Sequence, residues 1–147
     1  MINNKITILL AFASVSLLAA AMAQPMEWND PQSAYNRIYN PYTVETLSGE
    51  VTAIDIFVPA EGWYAGVHIT LKTDKESIGV HLGPQWYVDN QDFDLSVGDT
   101  VEVTGSRVMY EGEEVIIAQQ IRKGNEVLML RYTNGFPYWS GSRRTGW

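Results

Sequence analysis

Two short runs of alternating residues, 67–72 and 78–82, constrain the fold of this chain more than any other feature. In each run, apolar residues occupy one parity and polar or small residues occupy the other, which is typical of half-buried β-strands. The intervening residues 73–77 are polar and predict a turn. The sequence therefore predicts an antiparallel hairpin at the centre of the fold.

The alternation also predicts the register of this hairpin. Superimposing the apolar faces gives three opposed pairs: Leu71 with Ile78, Ile69 with Val80, and Val67 with Leu82. The same register places His68 opposite His81 on the other face. Because the chain contains only two histidines, the hairpin is expected to bring both of them together.

Residues 1–23 predict a secretory signal peptide. Lys5 supplies a positive start, residues 6–19 form an apolar core, and the A-x-A motif at 21–23 predicts cleavage before Gln24. The alternative is a membrane anchor, but the apolar run is shorter than the roughly 20 residues that a membrane-spanning helix needs. We expect a periplasmic or secreted protein whose mature chain forms one domain.

The composition excludes several classes of function. The chain has no cysteine, so disulfides, thiolate metal sites and covalently attached haem are excluded. Its net charge of −7 argues against a nucleic-acid partner, because nucleic-acid affinity depends on Lys and Arg that neutralise phosphates. The sequence motifs of common hydrolases, phosphate-binding loops and dinucleotide-binding folds are missing. The sequence therefore predicts a protein that is not an enzyme.

The order of the remaining segments predicts the fold class. An irregular lead-in at 24–41, with one helical turn after Pro31, precedes a domain at 42–132 and an aromatic and basic tail at 133–147. The long β-rich stretch at 43–58 is interrupted at Gly49, which predicts a strand that bends from one side of a barrel to the other.

After the hairpin, Pro84 precedes a short helix or turn-rich loop at 85–92, and short strands separated by Gly-containing turns follow. This order predicts an all-β fold, a five- or six-stranded Greek-key barrel of the oligonucleotide/oligosaccharide-binding (OB) type with a short helix or turn between strands 3 and 4. A small antiparallel sandwich is the alternative.

Two motifs carry a family resemblance. The runs SGEV at 48–51 and VGDTVEVTG at 97–105, with the short strands that follow, resemble the exported bacterial OB-fold proteins over about residues 44–130. Those are small periplasmic domains, some of them linked to stress tolerance. The run VHLGPQWY at 80–87 and the ending Trp139…Arg143-Arg144 resemble a narrower group of uncharacterised exported proteins. The resemblance implies an OB fold and export, and it implies no particular activity.

The histidine pair is the first candidate site. Directly opposed residues of an antiparallel pair have Cβ atoms about 4.5–5.5 Å apart, so His68 and His81 are candidate ligands for zinc or copper. Glu50 or Glu102 is the candidate carboxylate that would complete the metal shell. The alternative is a solvated or aromatic-stacked pair with no ligand, and a response to pH is conceivable because imidazole titrates near pH 6.5.

Aromatic residues at one rim of the hairpin form the second candidate site. Antiparallel pairing brings Trp63 and Tyr64 to the same rim as Trp86 and Tyr87, where large amphipathic side chains are able to stack on a small ligand. The alternative is that Trp86 and Tyr87 fill one end of the barrel as core residues.

The tail is the third candidate site. Tyr138, Trp139, Arg143 and Arg144 combine the aromatic and cationic residue types that are common in interface hot spots, which predicts partner binding. Docking of the tail on its own barrel is the leading alternative.

Together these features predict an exported, non-catalytic binding or accessory module that takes a small ligand, a metal ion or a protein partner through the outer face and rim of the hairpin. The second hypothesis is a structural protein that assembles through its aromatic-basic tail.

Overall fold

Six strands and two short helices make up the part of the chain that the computed structural model describes, residues 33–58 and 65–140. In chain order the elements are helix α1 (Ala34–Arg37), a 3₁₀ turn (Pro41–Thr43), strands β1 (Val44–Phe57), β2 (Gly66–Lys72) and β3 (Ser77–Pro84), helix α2 (Gln85–Asp89), and strands β4 (Thr100–Tyr110), β5 (Glu113–Lys123) and β6 (Glu126–Met129). The predicted signal peptide lies outside the described residues. The fold is all-β, and α2 lies between the third and fourth strands, where the sequence predicts a helix or turn.

The strands form one sheet whose pairings close into a ring. The sheet order is β3-β2-β1-β4-β5-β6, and β3 also pairs with β5. That last pairing is parallel and joins residues 79–81 to residues 115–117, whereas the other pairings are antiparallel. Five strands therefore form a closed cycle, and β6 lies outside it.

Strand β1 takes part in both halves of this ring, as the predicted bend implies. Its residues 44–50 pair with β4 and its residues 50–57 pair with β2. Gly49 lies at the exchange, and a Cβ atom there would collide with the backbone carbonyl of Lys72. Only glycine permits this close approach of two backbones. A register shift between Val51 and Ala53 then redirects the second half of the strand.

The hairpin register agrees with the prediction at all but one of the predicted pairs. Leu71 pairs with Ile78, Ile69 with Val80, and His68 with His81. The prediction that Val67 lies opposite Leu82 is wrong: Val67 pairs with Gly83, because the register shifts by one residue between Val67 and His68. Such a bulge inserts one residue and leaves the alternation on either side intact.

The sheet is buried on both faces along β5. Four consecutive residues, 115–118, are at most 6% exposed, and because successive side chains point to opposite faces, both faces must be covered. The aliphatic side of the hairpin packs in the inner core, where Ile69, Leu71, Val80 and Leu82 are at most 1% exposed.

An outer layer covers the opposite face of β3 and β5. It consists of Tyr35, Tyr39, Arg131 and Trp139, all at most 7% exposed. Tyr39 packs against Gly135, whose φ of 90° and lack of a Cβ atom make room for the ring. The described part of the predicted lead-in, residues 33–41, therefore lies across the sheet and contains one helical turn, α1.

Candidate functional site

The two histidines form a close face-to-face pair on the outer side of the hairpin. Their ring centroids are 3.8 Å apart and their planes differ by only 2°. His68 and His81 face each other because they are register partners in β2 and β3. The sequence-based prediction that the hairpin brings both histidines together is confirmed.

Two further rings extend this pair into a row. Phe57 lies nearly parallel to His68 with centroids 5.5 Å apart, and Tyr35 lies nearly parallel to His81 with centroids 5.9 Å apart. We call Phe57, His68, His81 and Tyr35 the aromatic stack. Tyr110 meets the rings of Tyr35 and His81 edge-on, which is a favourable arrangement for aromatic quadrupoles.

A hydrogen bond fixes the orientation of the inner histidine. The Tyr35 hydroxyl lies 2.8 Å from His81 Nδ1, and both groups are buried. His81 is only 5% exposed, so this bond satisfies a polar atom that would otherwise be costly to bury. Helix α1 thus determines how the imidazole of β3 is held.

Burial keeps the histidine pair neutral. The pKa of His81 is lowered to about 3, mainly by burial and in part by the nearby His68 and Arg131, which oppose another positive charge. Burial also lowers the pKa of His68, while the negative charges of Asp55 and Glu111 act in the opposite direction. At neutral pH the stack therefore presents neutral rings.

The geometry of the pair does not suit shared binding of one metal ion. An imidazole nitrogen directs its lone pair within the ring plane, and two nearly parallel rings at 3.8 Å direct their lone pairs side by side. A zinc ion about 2.0–2.1 Å from a nitrogen of each ring would lie well outside both planes. Shared ligation by His68 and His81 therefore requires at least one ring to turn, against the hydrogen bond from Tyr35.

The described carboxylates near the pair do not complete a set of metal ligands. Within residues 33–58 and 65–140, no group of three or more His, Cys, Asp or Glu is arranged to hold a metal ion. Glu50 pairs in register with Lys72, and Glu102 with Arg122 and Ser48, and neither borders the histidine pair. The metal-binding role stays a prediction that the observed ring geometry does not favour.

A cleft of about 310 Å³ opens beside the aromatic stack. It is lined by side chains of all five strands β1 to β5 and of the turn between β4 and β5: Phe57, His68, His81, Tyr110, Glu111, Glu113 and Val115. One wall is therefore aromatic and the rim carries two carboxylates. Burial and the adjacent Glu111 raise the pKa of Tyr110 to about 12, so this phenol is also neutral.

The turn that carries Glu111 has an unusual backbone. Tyr110 pairs with Glu113, and the two residues between them have positive φ angles, 50° at Glu111 and 82° at Gly112. A two-residue hairpin turn of this kind favours glycine, asparagine or aspartate at both central positions. Glutamate at the first position is therefore strained, and such strain is concentrated at functional sites.

Trp86 and Tyr87, the two described residues of the predicted aromatic rim, do not line the histidine cleft. Tyr87 is 7% exposed and its hydroxyl donates to the carbonyl of Met129. Trp86 is partly buried, packs against the core and meets Tyr87 edge-on. Both belong to α2, which follows β3 and leads away from the cleft, so the alternative of core packing describes Tyr87. Trp63 and Tyr64 lie outside the described residues.

The start of the tail packs on its own domain. Trp139 is completely buried, over Gly83, beside Tyr87 and under the Arg131 guanidinium, whose carbon lies 5.0 Å from the ring centroid. A side chain with no exposed surface has nothing to offer a partner, so the predicted partner-binding role of Trp139 is corrected to a role in the fold.

The remaining predicted tail residues differ in position. Tyr138 stacks on Tyr132 with centroids 4.2 Å apart, and Tyr132 is 51% exposed. The partner-binding role of Tyr138 stays a prediction. Arg143 and Arg144 lie outside the described residues.

Sequence reasoning missed most of the residues around the histidines. Tyr35, Phe57 and the adjacent pair Tyr110 and Glu111 come from three separate segments, and no spacing in the sequence links these segments to the histidines. Glu111-Gly112 offered one signal, since a Gly-containing turn predicted a hairpin whose tip had to lie at the edge of the sheet.

The fold and the cleft define a single-domain all-β protein with an acidic, aromatic cleft on the outer face of its sheet. The model of the MamS/MamX magnetosome protein family matches residues 43–128. Because this match covers more than half of the chain, the chain belongs to that family. The matched residues include every cleft-lining side chain named above, whereas Tyr35 and Trp139 lie outside them. No curated protein matches the chain.

Proposed function

We propose that this protein is an exported, non-catalytic binding module of the OB type whose cleft holds a small group that carries a positive charge. The observation that supports the proposal best is the combination of neutral stacked rings and two glutamates around one cleft. The cleft volume of about 310 Å³ is at the lower end of ligand pockets, which suits a small molecule or one side chain of a partner.

The charge of the ligand follows from the lining. The aromatic stack offers π faces and edges but no charge, because both imidazoles are neutral. Glu111 and Glu113 are exposed at the rim, and Asp55 lies close enough to raise the pKa of His68. A cation gains from both the carboxylates and the aromatic rings, whereas an anion is repelled.

Two features support the OB-type assignment and export. The closed ring of five strands with a helix between β3 and β4 has the features of a small Greek-key barrel. The apolar stretch and A-x-A motif at the start of the sequence support export. Within the described residues, no helix has the length and apolar character that a membrane span needs.

The absence of catalysis is supported by the state of the histidines. A general base works best when its pKa lies near the working pH, and the pKa of His81 is about 3. Its Nδ1 atom is already engaged with the Tyr35 hydroxyl. Both observations favour a binding role for the pair.

The ligand proposal is tested with three small molecules of the same shape. Benzamidine is a planar cation, benzamide is its neutral counterpart, and benzoate is the anion. We expect benzamidine to bind with a Kd on the order of millimolar, as suits a fragment of this size, with benzamide weaker and benzoate weakest. Shifts of the Phe57, His68 and Tyr110 NMR signals measure the binding.

A charge-neutral variant provides the control. Glu111→Gln combined with Glu113→Gln keeps the shape of the rim and is expected to reduce benzamidine affinity to that of benzamide. Glu126→Gln, an exposed carboxylate on β6, is expected to leave it unchanged. Equal binding of benzoate and benzamidine would contradict the proposal.

Export is tested separately by N-terminal sequencing of the protein recovered from the periplasmic fraction. A first residue of Gln24 is the expected result. Recovery only from the cytoplasm, with Met1 or Ile2 as the first residue, would contradict it.

A further inference from the structure

The second half of β1 has an edge that no strand of residues 33–58 and 65–140 occupies. On one side, residues 53–57 pair with β2. On the other side, pairing with β4 ends at Glu50, and the last backbone bonds join Val51 to Gly98 and Asp99. A strand edge of this kind carries a row of N–H and C=O groups that are able to pair with another chain.

This edge borders an apolar groove of about 340 Å³. The groove lies over the ends of β1 and β2, and α2 with the segment that follows it forms the other wall. Its apolar lining includes Ile54, Ile56, Phe93 and Leu95, and its acidic lining includes Asp89 and Asp94. Ile56 is 48% exposed and Val58, two residues further along, is 58% exposed. Apolar side chains are therefore exposed to solvent next to the unpaired backbone edge.

The two faces of this strand end differ in character. Ile54 and Ile56 line the groove, and because side chains alternate along a strand, Asp55 points to the opposite face. A strand added at this edge would therefore place one set of side chains against isoleucine and the other set beside an aspartate. Cross-strand pairs of opposite charge are favourable, and pairs of like charge are not.

We infer that the β1 edge binds an extended segment of a partner protein in which apolar residues alternate with lysine or arginine. The segment adds as a further strand, its backbone bonds to residues 53–57, its apolar side chains pack against Ile54 and Ile56 in the groove, and its cations lie on the opposite face beside Asp55. A second copy of this chain is a poorer occupant, because it brings the same acidic groove and a net charge of −7 to the same surface. This site meets the histidine cleft at Asp55 and Phe57, but its groove has a different lining, so peptide binding and benzamidine binding are measured independently and either one is able to fail alone.

Two synthetic peptides test the inference on the full mature chain. One is acetyl-Val-Lys-Val-Lys-Val-Lys-Val-amide, and the other has glutamate in place of each lysine. We expect only the lysine peptide to bind and to slow hydrogen exchange of the β1 amides on the open edge. If neither peptide changes that exchange, or if the glutamate peptide binds as well, the inference is overturned.

Matched variants locate the site. Ile56→Lys is expected to weaken the lysine peptide by about tenfold, as for the loss of one buried apolar contact with added repulsion. The control is Val127→Lys on β6, an exposed apolar residue at another strand edge (40% exposed). Asp55→Lys is expected to reverse the charge preference, and Asp74→Lys in the β2–β3 turn is expected to preserve it. If a variant and its control change peptide affinity or charge preference equally, the inference is overturned.

Two other occupants give distinct results. If a second copy fills the edge, the sedimenting mass doubles with concentration and Ile56→Lys abolishes the doubling. If the chain's own tail fills it, the edge amides are already protected in the free protein and deletion of residues 141–147 exposes them. Either result overturns binding of a partner segment.

Discussion

The inner core and the outer layer both bury large side chains but are stabilised by different forces. The inner core is aliphatic, with Ile69, Leu71, Val80 and Leu82 meeting across the hairpin. The outer layer is polar and aromatic, and its side chains are fixed by the bond of Tyr35 to His81 and by the contact of Arg131 with Trp139.

The contrast is clearest at Arg131. This residue is 1% exposed, and its Nη1 donates to Asn36 Oδ1 at 2.9 Å and to the Gly135 carbonyl at 3.0 Å. Within the described part of the chain it has no carboxylate partner. By comparison, Arg107 is more exposed and bonds to three glutamates. Neutral dipoles and a ring thus take the place of counterions inside the outer layer.

The difference between the two layers indicates which of them depends on particular side chains. Aliphatic cores tolerate exchange of side chains of similar volume, but a buried polar network works only when each member finds its partner. The histidine cleft is built from the outer layer's side of the sheet. Four changes to the chain or its conditions test this contrast, from the largest expected effect to the smallest.

Leu82→Ala in the inner core is expected to have the largest effect. Removal of a fully buried leucine leaves a cavity and lowers the free energy of unfolding by about 3 kcal/mol. Leu82→Met, which conserves volume, is expected to cost less than about 1.5 kcal/mol. Urea unfolding measures both, and equal losses in the two variants would show that the inner core is not governed by packing volume.

Gly83→Ala tests the packing of Trp139, at the start of the tail, against β3 in the outer layer. A Cβ atom there would lie 2.8 Å from the Trp139 ring, so the ring must move, at a cost of about 2 kcal/mol. Gly79→Ala is the control on the same strand, because its Cβ would lie 3.7 Å from Val115, an ordinary contact. The indole NMR signal of Trp139 should shift only in the first variant, and an unchanged signal there would remove Trp139 from the outer layer.

Mild acid is expected to weaken the outer layer first. The folded-state pKa of His81, about 3, lies below the usual 6.5, so the unfolded chain binds a proton more readily. Stability is therefore complete above about pH 6.5 and falls as the pH drops toward 3, by about 1 kcal/mol between pH 6.5 and 5.5 for this residue alone.

The direction for His68 is the same, and most carboxylates remain ionised over that interval. Urea unfolding of the His68→Gln, His81→Gln double variant should show a flatter dependence on pH. If the free energy of unfolding depends on pH equally in wild type and variant, the burial of the histidine pair does not lower its pKa as described.

Glu111→Gly has the smallest expected effect and the opposite sign. Glycine adopts a φ of 50° without strain, so the free energy of unfolding should rise by about 0.5–1 kcal/mol. Benzamidine affinity should fall, because the rim loses a carboxylate. Glu113→Gly is the comparison, since Glu113 has no positive φ and should not gain stability. A stabilised variant with undiminished affinity would separate Glu111 from binding.

Features that depend on neighbouring residues could be predicted from the sequence. Alternation and a polar turn were sufficient for the register from Leu71–Ile78 to His68–His81, and Gly49 marked the point where β1 changes partner. The shift at Val67 could not be predicted, because a bulge leaves the period on both sides unchanged. The parallel pairing of β3 with β5 could not be predicted from the sequence either, because no turn connects the two strands directly.

The cleft was predictable only in part, for the same reason. The histidine pair follows from the hairpin, but its burial comes from Tyr35, and its open side is bordered by Tyr110 and Glu111. Trp86 and Tyr87 were assigned to one rim with Trp63 and Tyr64 because antiparallel pairing of the hairpin brings the two flanking segments together. After Pro84 the chain enters α2, which places Trp86 and Tyr87 outside the lining of the cleft.

The bond between Arg131 and Asn36 has a consequence for the order of folding. Its two residues are 95 positions apart, so closing this contact carries a large loop-closure entropy and comes after local hairpins have formed. During synthesis, β1, β2 and β3 emerge well before Arg131 and Gly135. The two histidines therefore become neighbours early, but the outer layer covers them only late in folding. A histidine pair covered by the outer layer is thus found only in a chain that has been synthesised past Gly135.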